Sequence, residues 1–481
     1  MEENGQPIEL LTYEMHGKNK MLKIYNSLTR QKEVFKPIRE KEVSLYVCGI
    51  TVYDYCHAGH ARMMTCFDVI VRYLQSIDYK VHYVRNITDI DDKIIARAQE
   101  NGEAFEQLSE RFIVALMEDE RALNLLPANT IPRATQYIPE MIALIEQLIQ
   151  KGLAYVGSDG DVLYEVMRFK DYGKLSHKDL EGQEAGARIK TSDAKRHPLD
   201  FVLWKKAKPG EPSWQSPWGE GRPGWHIECS AMSASCLGGT MDIHGGGFDL
   251  QFPHHENEIA QSEGATHQPL ANLWMHVGFL QINKEKMSKS LGNFFTIREI
   301  LAQHHPETVR YFLLSSHYRS QQNYSEESIQ QAHQALERLY QSLWGLALEE
   351  KPSDILASWQ TRFDMAMQDD FNVPEALSIL FELSREINRA KTENQIKQAT
   401  QLGVMLKHLM GILGLHQQSP DAFLKAGIHE EELSKIEALI AERNMARQAK
   451  NWTEADRLRD NLKNLQVELA DTPHGTIWRK G

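Results

Sequence analysis

The stretch VSLYVCGITVYDYCHAGHAR, residues 43–62, decides the fold. Its first six residues are a β-rich apolar run followed by Gly49, which reads as a strand. HARMMTCFDVIVRYLQSI (60–77) then reads as a helix, and KVHYVRNIT (80–88) as a second strand. Strand, helix, strand in that order implies parallel strands joined by a right-handed crossover. The fold class expected is therefore α/β. Working outward, residues 91–126 look helical until the segment Pro127–Pro132 breaks them. PEMIALIEQLIQKG (139–152) is an amphipathic helix ended by Gly152. From Gly157 to Gly224 the chain is rich in Gly, Pro, Trp and Asp, which reads as an inserted segment of loops and short strands. The α/β pattern resumes around Trp225. Beyond about residue 310 strand signals vanish. Residues 325–348, 353–391 and 394–414 are helical by period, with turns near Lys351–Pro352 and Glu393. HQQSPDA (416–422) is a linker candidate, and 430–467 is again mostly helical.

The chain has 481 residues, enough for about three domains. Hydrophobic residues at 42% and charged residues at 25% are ordinary soluble usage. There is no apolar run long enough to span a membrane, so no membrane partner is expected. The start, MEENGQPIEL, is acidic and polar and does not read as a signal peptide. Five cysteines, Cys48, Cys56, Cys66, Cys229 and Cys236, are sparse and odd in number. That fits a reducing cytoplasm and leaves thiols available for metal. The net charge of −12 taken alone argues against a nucleic-acid partner. A local basic stripe would still serve one.

Three constellations could carry chemistry. His57 and His60 stand three apart where a helix begins, so they share a face. A helix N-terminus favours anions, and two imidazoles there can donate to phosphate oxygens. KEKMSKSLGN (284–293) gathers Lys284, Lys286, Lys289, Ser288 and Ser290 in a loop suited to a polyphosphate. FPHHENE (252–258) puts His254 and Glu258 at i, i+4. Together with Cys48, which ends a strand, and Cys229 in WHIECSAM they make a Cys2HisGlu donor set plausible for zinc. His255, Glu256 and Cys236 are rival ligands at this level. By spacing alone the three also read as surface histidines, a solvated lysine loop and buried cysteines. GEGRPG (219–224) matches G-x-G-x-x-G, but no strand precedes it and Pro223 sits inside, so it is no dinucleotide site. No Walker A pattern occurs.

Taken together the motifs resemble those of class I aminoacyl-tRNA synthetases. HAGH (57–60) is similar to their HIGH signature, and KMSKS (286–290) matches the second signature letter for letter, in the right order. The cysteine-specific members are similar through YVCGITVYDYCHAGHAR, RNITDIDDKI (85–94), GWHIECSAM (224–232), GGGFDLQFPHHENE (245–258) and the tail GTIWRK. Ala58 departs from the usual isoleucine and leaves the two histidine donors in place.

The resemblance implies a split Rossmann-like parallel-sheet catalytic domain over 20–310, with a connective insertion at about 120–224. It implies a helical tRNA-contacting region over 311–415 and an anticodon-recognition domain over 416–481. It further implies one zinc ion on Cys48, Cys229, His254 and Glu258, and an amino-acid pocket lined by Gly49, Thr88 and Trp225. Gly247 and Asp249 would meet adenosine, while His57, His60, Lys286 and Lys289 would handle the triphosphate of ATP with Mg2+. The implied activity loads L-cysteine onto tRNA(Cys), with zinc selecting the thiol. Size alone separates cysteine from serine by only ~1–3 kcal/mol. Two other readings stay open: a zinc-dependent ligase that joins cysteine to an amino-sugar, and a non-catalytic RNA-binding or zinc-structural protein.

Overall fold

A computed structural model describes residues 21–178, 194–282, 285–286, 295–348, 357–426, 428–472 and 475–480. It opens on an antiparallel hairpin of β1 (Lys23–Asn26) and β2 (Gln31–Val34). Then follow β3 (Glu42–Thr51), α1 (Ala58–Ser76) and β4 (Lys80–Thr88), with β3 and β4 parallel neighbours. The crossover expected from residues 43–88 is present. β3 runs on past Cys48 to Thr51, so Cys48 does not end the strand. The register instead shifts between Val47 and Ile50, and Cys48 and Gly49 lie in that irregularity.

Next come α2 (Asp92–Asn101), α3 (Phe105–Ala122) and α4 (Ile138–Gln150). The insertion is an antiparallel sheet of short strands: β5 (Ala154–Val156), β6 (Val162–Tyr164), β7 (Phe201–Lys206) and β8 (Gly221–Pro223). The α/β pattern then returns as α5 (Trp225–Leu237), β9 (Met241–Gly247), α6 (Glu256–Thr266) and β10 (Ala271–Val277). The central sheet has the order β10-β9-β3-β4, and every neighbouring pair is parallel. The chain leaves β3 toward one edge and β9 toward the other. A crevice at the carboxyl ends of such a pair is where open α/β sheets bind ligands.

β11 (Leu280–Ile282) and β12 (Glu285–Lys286) follow as an antiparallel pair, then α7 (Ile297–Leu301) and α8 (Pro306–Leu314). The expectation that strands cease beyond 310 is corrected at β13 (Gln322–Tyr324), which pairs parallel with β11. Three residues are too few for periodicity to reveal a strand; pairing with a distant partner makes it one. After α9 (Glu326–Leu343), the segment 353–391, read as one helical stretch, holds two helices among its described residues. They are α10 (Ala357–Met367) and α11 (Val373–Thr392). Asp370 and Phe371 between them have φ of 64° and 51°, the left-handed region. Asp370 is fully buried there and accepts hydrogen bonds from Tyr25 N, Tyr318 Oη and Arg319 Nε at 2.7–2.8 Å. Asn372 then caps α11, with Pro374 in its first turn.

The rest is α12 (Ile396–Ile412), α13 (Pro420–Leu424), α14 (Glu430–Gln448) and α15 (Trp452–Asn464). A hairpin of β14 (Val467–Thr472) and β15 (Gly475–Lys480) closes the chain, a second place where strands occur beyond 310. One apolar core runs from the sheet through α1 into α8–α12, so the packing is continuous across residue 310. A second core lies under the insertion, and a third, around Ile436, Leu462 and Trp478, serves the C-terminal hairpin and its helices. Burying each such aliphatic side chain contributes roughly 1.5–3 kcal/mol. Among the described residues no helix is long and apolar enough to cross a membrane.

Candidate active site

β3, α5 and α6 bring four donors together. Cys48 comes from β3, Cys229 from α5, Glu258 from the first turn of α6 and His254 from the irregular turn just before it. Cys48 Sγ stands 3.7 Å from Cys229 Sγ and 3.3 Å from Glu258 Oε1, and His254 Nε2 stands 3.0 Å from the same oxygen. All four donor atoms lie within 4.8 Å of one another, and each residue is at most 2% exposed. Donors around a tetrahedral zinc, at ~2.3 Å for sulfur and ~2.0–2.1 Å for nitrogen or oxygen, stand roughly 3.3–3.8 Å apart. The spacing therefore fits that ion.

The electrostatics fit a cation as well. A hydrogen bond from Cys48 lowers the Cys229 thiol to about 6, against the burial that opposes it. Burial likewise opposes the ionisation of Glu258, yet His244 and His254 hold its carboxyl well below the usual range. Burial disfavours a charged His254, but Glu258 and Cys229 hold it up to about 10. These directions together favour positive charge on His254 and negative charge on Cys229 and Glu258. A divalent cation at the same point would neutralise both anions and leave the imidazole lone pair for coordination.

A shell of partners orients these ligands. His244 Nε2 lies 2.8 Å from Glu258 Oε2, so one carboxylate oxygen is held while Oε1 faces the cluster. His254 turns Nδ1 toward His226 Nδ1 at 3.0 Å and stacks on the half-exposed Trp225 ring at 4.3 Å. Asn86 Oδ1 accepts from Gly49 N at 2.8 Å and lies 3.7 Å from Cys229 Sγ. Sequence reasoning missed Asn86, His226 and His244. Asn86 and His226 lie inside quoted motifs and His244 adjoins one, but no spacing rule separates an orienting residue from its neighbours. Outer partners of this kind fix ligand tautomers and geometry.

Two of the three rival ligands, Glu256 and Cys236, separate from the cluster. His255, with Cys48, His244 and Glu258, forms a second buried set whose donor atoms also lie within 4.8 Å. Its Nδ1, however, meets His276 Nε2 at 2.9 Å, and its Nε2 is 4.0 Å from Glu258 Oε1. Glu256 accepts from the backbone amides of Gly173, Leu175 and Ser176. Cys236 faces Tyr137 Oη at 3.5 Å.

Gly49, Thr88 and Gly247 lie toward the carboxyl ends of the parallel strands β3, β4 and β9. Thr88 is the last residue of β4, and its hydroxyl donates to Glu228 at 2.8 Å. Burial pushes the Glu228 carboxyl well up. Gly49 tolerates no side chain, because a Cβ there would sit 1.6 Å from Asn86 O. Trp225 begins α5, Gly247 ends β9, and Asp249 lies one residue beyond.

His57 is the N-cap of α1 and His60 its third residue. Each ring closes the other's backbone: His60 N donates to His57 Nδ1 at 3.2 Å, and His57 N to His60 Nδ1 at 3.3 Å. With Nδ1 accepting, each neutral ring carries its proton on Nε2. Burial keeps the His60 imidazole well below its usual pKa, so it stays neutral. The rings stack with centroids 3.5 Å apart.

Lys286 lies on β12, opposite Gln281 of β11. Lys284, Ser288, Lys289 and Ser290 fall outside the described residues. Just beyond that loop the chain returns to the histidines. Ala58 N donates to Phe295 O at 3.1 Å and Ile297 N to Cys56 O at 2.8 Å.

Three family models match successive parts of the chain. The family model for tRNA synthetases class I (C) catalytic domain matches residues 34–334, more than half of the chain. A DALR domain matches 362–417, and a cysteinyl-tRNA ligase anticodon binding domain matches 431–479. The Cysteine–tRNA ligase of Methylococcus capsulatus is 59% identical over 465 residues, covering 96% of this chain and 100% of that protein. Those of Legionella pneumophila strain Paris and Aliivibrio fischeri are 57% and 58% identical over 96% of this chain and 99% and 100% of theirs. Among solved structures, Mycobacterium tuberculosis methionyl-tRNA synthetase in complex with methionyl-adenylate superposes with a TM-score of 0.55. It is 15% identical over 80% of this chain and 91% of that one. A likeness at that identity shows the fold alone.

Proposed function

The chain belongs to the cysteine–tRNA ligase family of class I synthetases, and from that premise we propose that Cys48, Cys229, His254 and Glu258 hold one zinc ion that selects the cysteine thiol. The chain is an aminoacyl-tRNA synthetase: it uses ATP to activate L-cysteine and joins it to tRNA. The anticodon-domain match at 431–479 leaves the amino-sugar acceptor without support. The observation that carries the zinc reading is the convergence of two thiols, an imidazole and a carboxylate within 4.8 Å. When bound, zinc supplies affinity for a thiolate sulfur that a serine hydroxyl does not match.

The protein's own groups account for the rest. Gly49, Thr88 and Trp225 line the amino-acid pocket, and Gly247 and Asp249 meet the adenosine. The cysteine carboxylate attacks the α-phosphorus of ATP in line, and pyrophosphate leaves; Mg2+ would accompany the triphosphate and supply charge neutralisation there. The Nε2–H groups of His57 and His60 donate to the phosphate oxygens as charge builds there, and Lys286 and Lys289 stabilise the β and γ groups. No covalent enzyme intermediate is required, so positioning supplies most of the rate. A ribose hydroxyl at the tRNA 3′ end then attacks the cysteinyl carbonyl, and AMP leaves. The division into 20–310, 311–415 and 416–481 belongs to this proposal, as does a cytoplasmic location.

Cys229→Ser tests it. Metal analysis of the purified wild-type protein should give about one zinc per chain. The variant should lose most of that metal and most of its preference for cysteine over serine in ATP–pyrophosphate exchange. Full zinc and unchanged preference would remove Cys229 from the ligand set.

A further inference from the structure

HQQSPDA (416–422), a linker by composition, is held along its length. Glu307 on α8 is fully buried, and its carboxylate accepts from His416 N at 2.7 Å, Gln417 N at 3.3 Å and Tyr340 Oη at 2.8 Å. Gln418 Nε2 reaches His305 Nε2 at 2.8 Å. Ser419 then caps α13, whose Phe423 is 3% exposed. That ring lies flat on Tyr340, with centroids 4.1 Å apart and planes 9° apart, and packs edge-on against His305 at 5.1 Å. Two residues further, the Lys425 ammonium sits 4.7 Å over the ring of Trp478, in the core of the C-terminal unit.

The other end is equally fixed. Arg310, one helical turn after Glu307, donates to Leu413 O at 3.0 Å and to Leu123 O at 3.0 Å, and pairs with Asp68 of α1. α8 therefore grips both the start of the connection and the helix that carries His57 and His60.

We propose that Glu307 is a positioning residue for tRNA, and that with Phe423 it makes residues 413–425 a rigid strut holding the anticodon domain at one distance and orientation from the active site. The inference rests on the tRNA reading above. A buried carboxylate committed to two backbone amides of a connection is costly unless its bonds are all made, so the segment has one conformation. A tRNA must meet the protein at its anticodon and at its 3′ end together. Two such contacts reinforce each other most when the piece joining them matches the span, and lose that gain as it becomes loose. The strut should therefore govern tRNA binding and leave cysteine activation alone.

The experiment compares wild type, Glu307→Gln, Phe423→Ala and Phe423→Tyr in two assays: cysteine-dependent ATP–pyrophosphate exchange without tRNA, and charging of tRNA(Cys). We expect exchange within about twofold of wild type in every variant, and KM for tRNA raised about fivefold or more in Glu307→Gln and Phe423→Ala. Phe423→Tyr should restore KM to within about twofold, because it keeps the stacked ring. If Glu307→Gln does not fold, the Phe423 pair decides alone. The strut is refuted if KM for tRNA stays at the wild-type value in Phe423→Ala, or if exchange falls in step with charging. A wild-type protein that exchanges but never charges tRNA would instead overturn the tRNA reading itself.

Discussion

On the proposed function, His57 and His60 do two jobs with two nitrogens each. Their Nδ1 atoms accept the backbone amides that open α1, and this sets the proton on Nε2. A ring that is neutral, half-buried and tautomerically fixed donates without first having to be protonated. His60→Ala removes the donor and half of the reciprocal cap. Loss of one donor aimed at developing negative charge costs about 10²–10³ in kcat, or about 2.7–4 kcal/mol. We expect that fall in pyrophosphate exchange with little change in KM for cysteine. A decrease below about tenfold would assign His60 to the cap alone. The same scale explains Gly49, where the carbonyl of Asn86 occupies the space a Cβ would need.

At the scale of elements, the lysine loop is rooted between β11 and α7, and α7 is tied to α3. Arg298 of α7 lies 2.6 Å from Glu118 Oε2 and 3.1 Å from Asp119 Oδ1. Burial pushes the Asp119 carboxyl up to about 6, although Arg298 pulls it down, and its Oδ2 is buried without a hydrogen-bond partner. An unfolded aspartate titrates near ~3.9. Between these values the folded protein keeps a proton that the unfolded chain has released. The stability this gives is present below about pH 4 and is lost as pH rises through about 6. Asp119→Asn cannot titrate. Its melting temperature, measured relative to wild type, should therefore rise from about pH 4.5 to about pH 7. A flat difference over that window would show that the carboxyl titrates normally. Because α7 roots the loop, exchange activity should follow the same trend.

Over the whole molecule, α1 is the shared member of the catalytic sheet and the helical region. Arg62 on α1 is fully buried and donates to four carbonyls, those of Gly278, Leu313, His317 and Ser320, at 2.7–3.1 Å. Asp68 pairs with the buried Arg310, accepts from Arg72 at 2.8 Å and receives Leu126 N at 2.7 Å. Removing one member of a buried pair leaves the other charge uncompensated, at about 3–5 kcal/mol. Asp68→Asn should therefore lower the thermal midpoint by about 5 °C or more. A shift under about 1 °C would mean that the carbonyls around Arg310 satisfy it without Asp68. The same network makes residue 310 a point inside a packed core, although periodicity changes there from mixed to helical.

Local patterns were enough for the parallel crossover of residues 43–88, the insertion of short strands, the helices beyond 325 and the placement of His57 and His60 at a helix start. Each rests on periodicity or capping within one or two turns, which the neighbouring residues dictate. The family, too, was legible, because its motifs are contiguous. Spacing left the donor cluster open; the resemblance named its four residues, and tertiary packing brings them together. Cys48 and Cys229 are 181 positions apart and Cys48 and Glu258 are 210 apart, so no spacing rule links them. Spacing leaves His255, Glu256 and Cys236 as equal candidates until packing turns Glu256 to backbone amides and Cys236 to Tyr137. Packing also broke 353–391 at Asp370, whose left-handed backbone is held by bonds to Tyr25 and Tyr318. It turned a polar linker into a strut through one buried carboxylate far away in sequence. Short-range geometry is written in the order of residues, whereas convergence depends on which surfaces meet once the chain is compact.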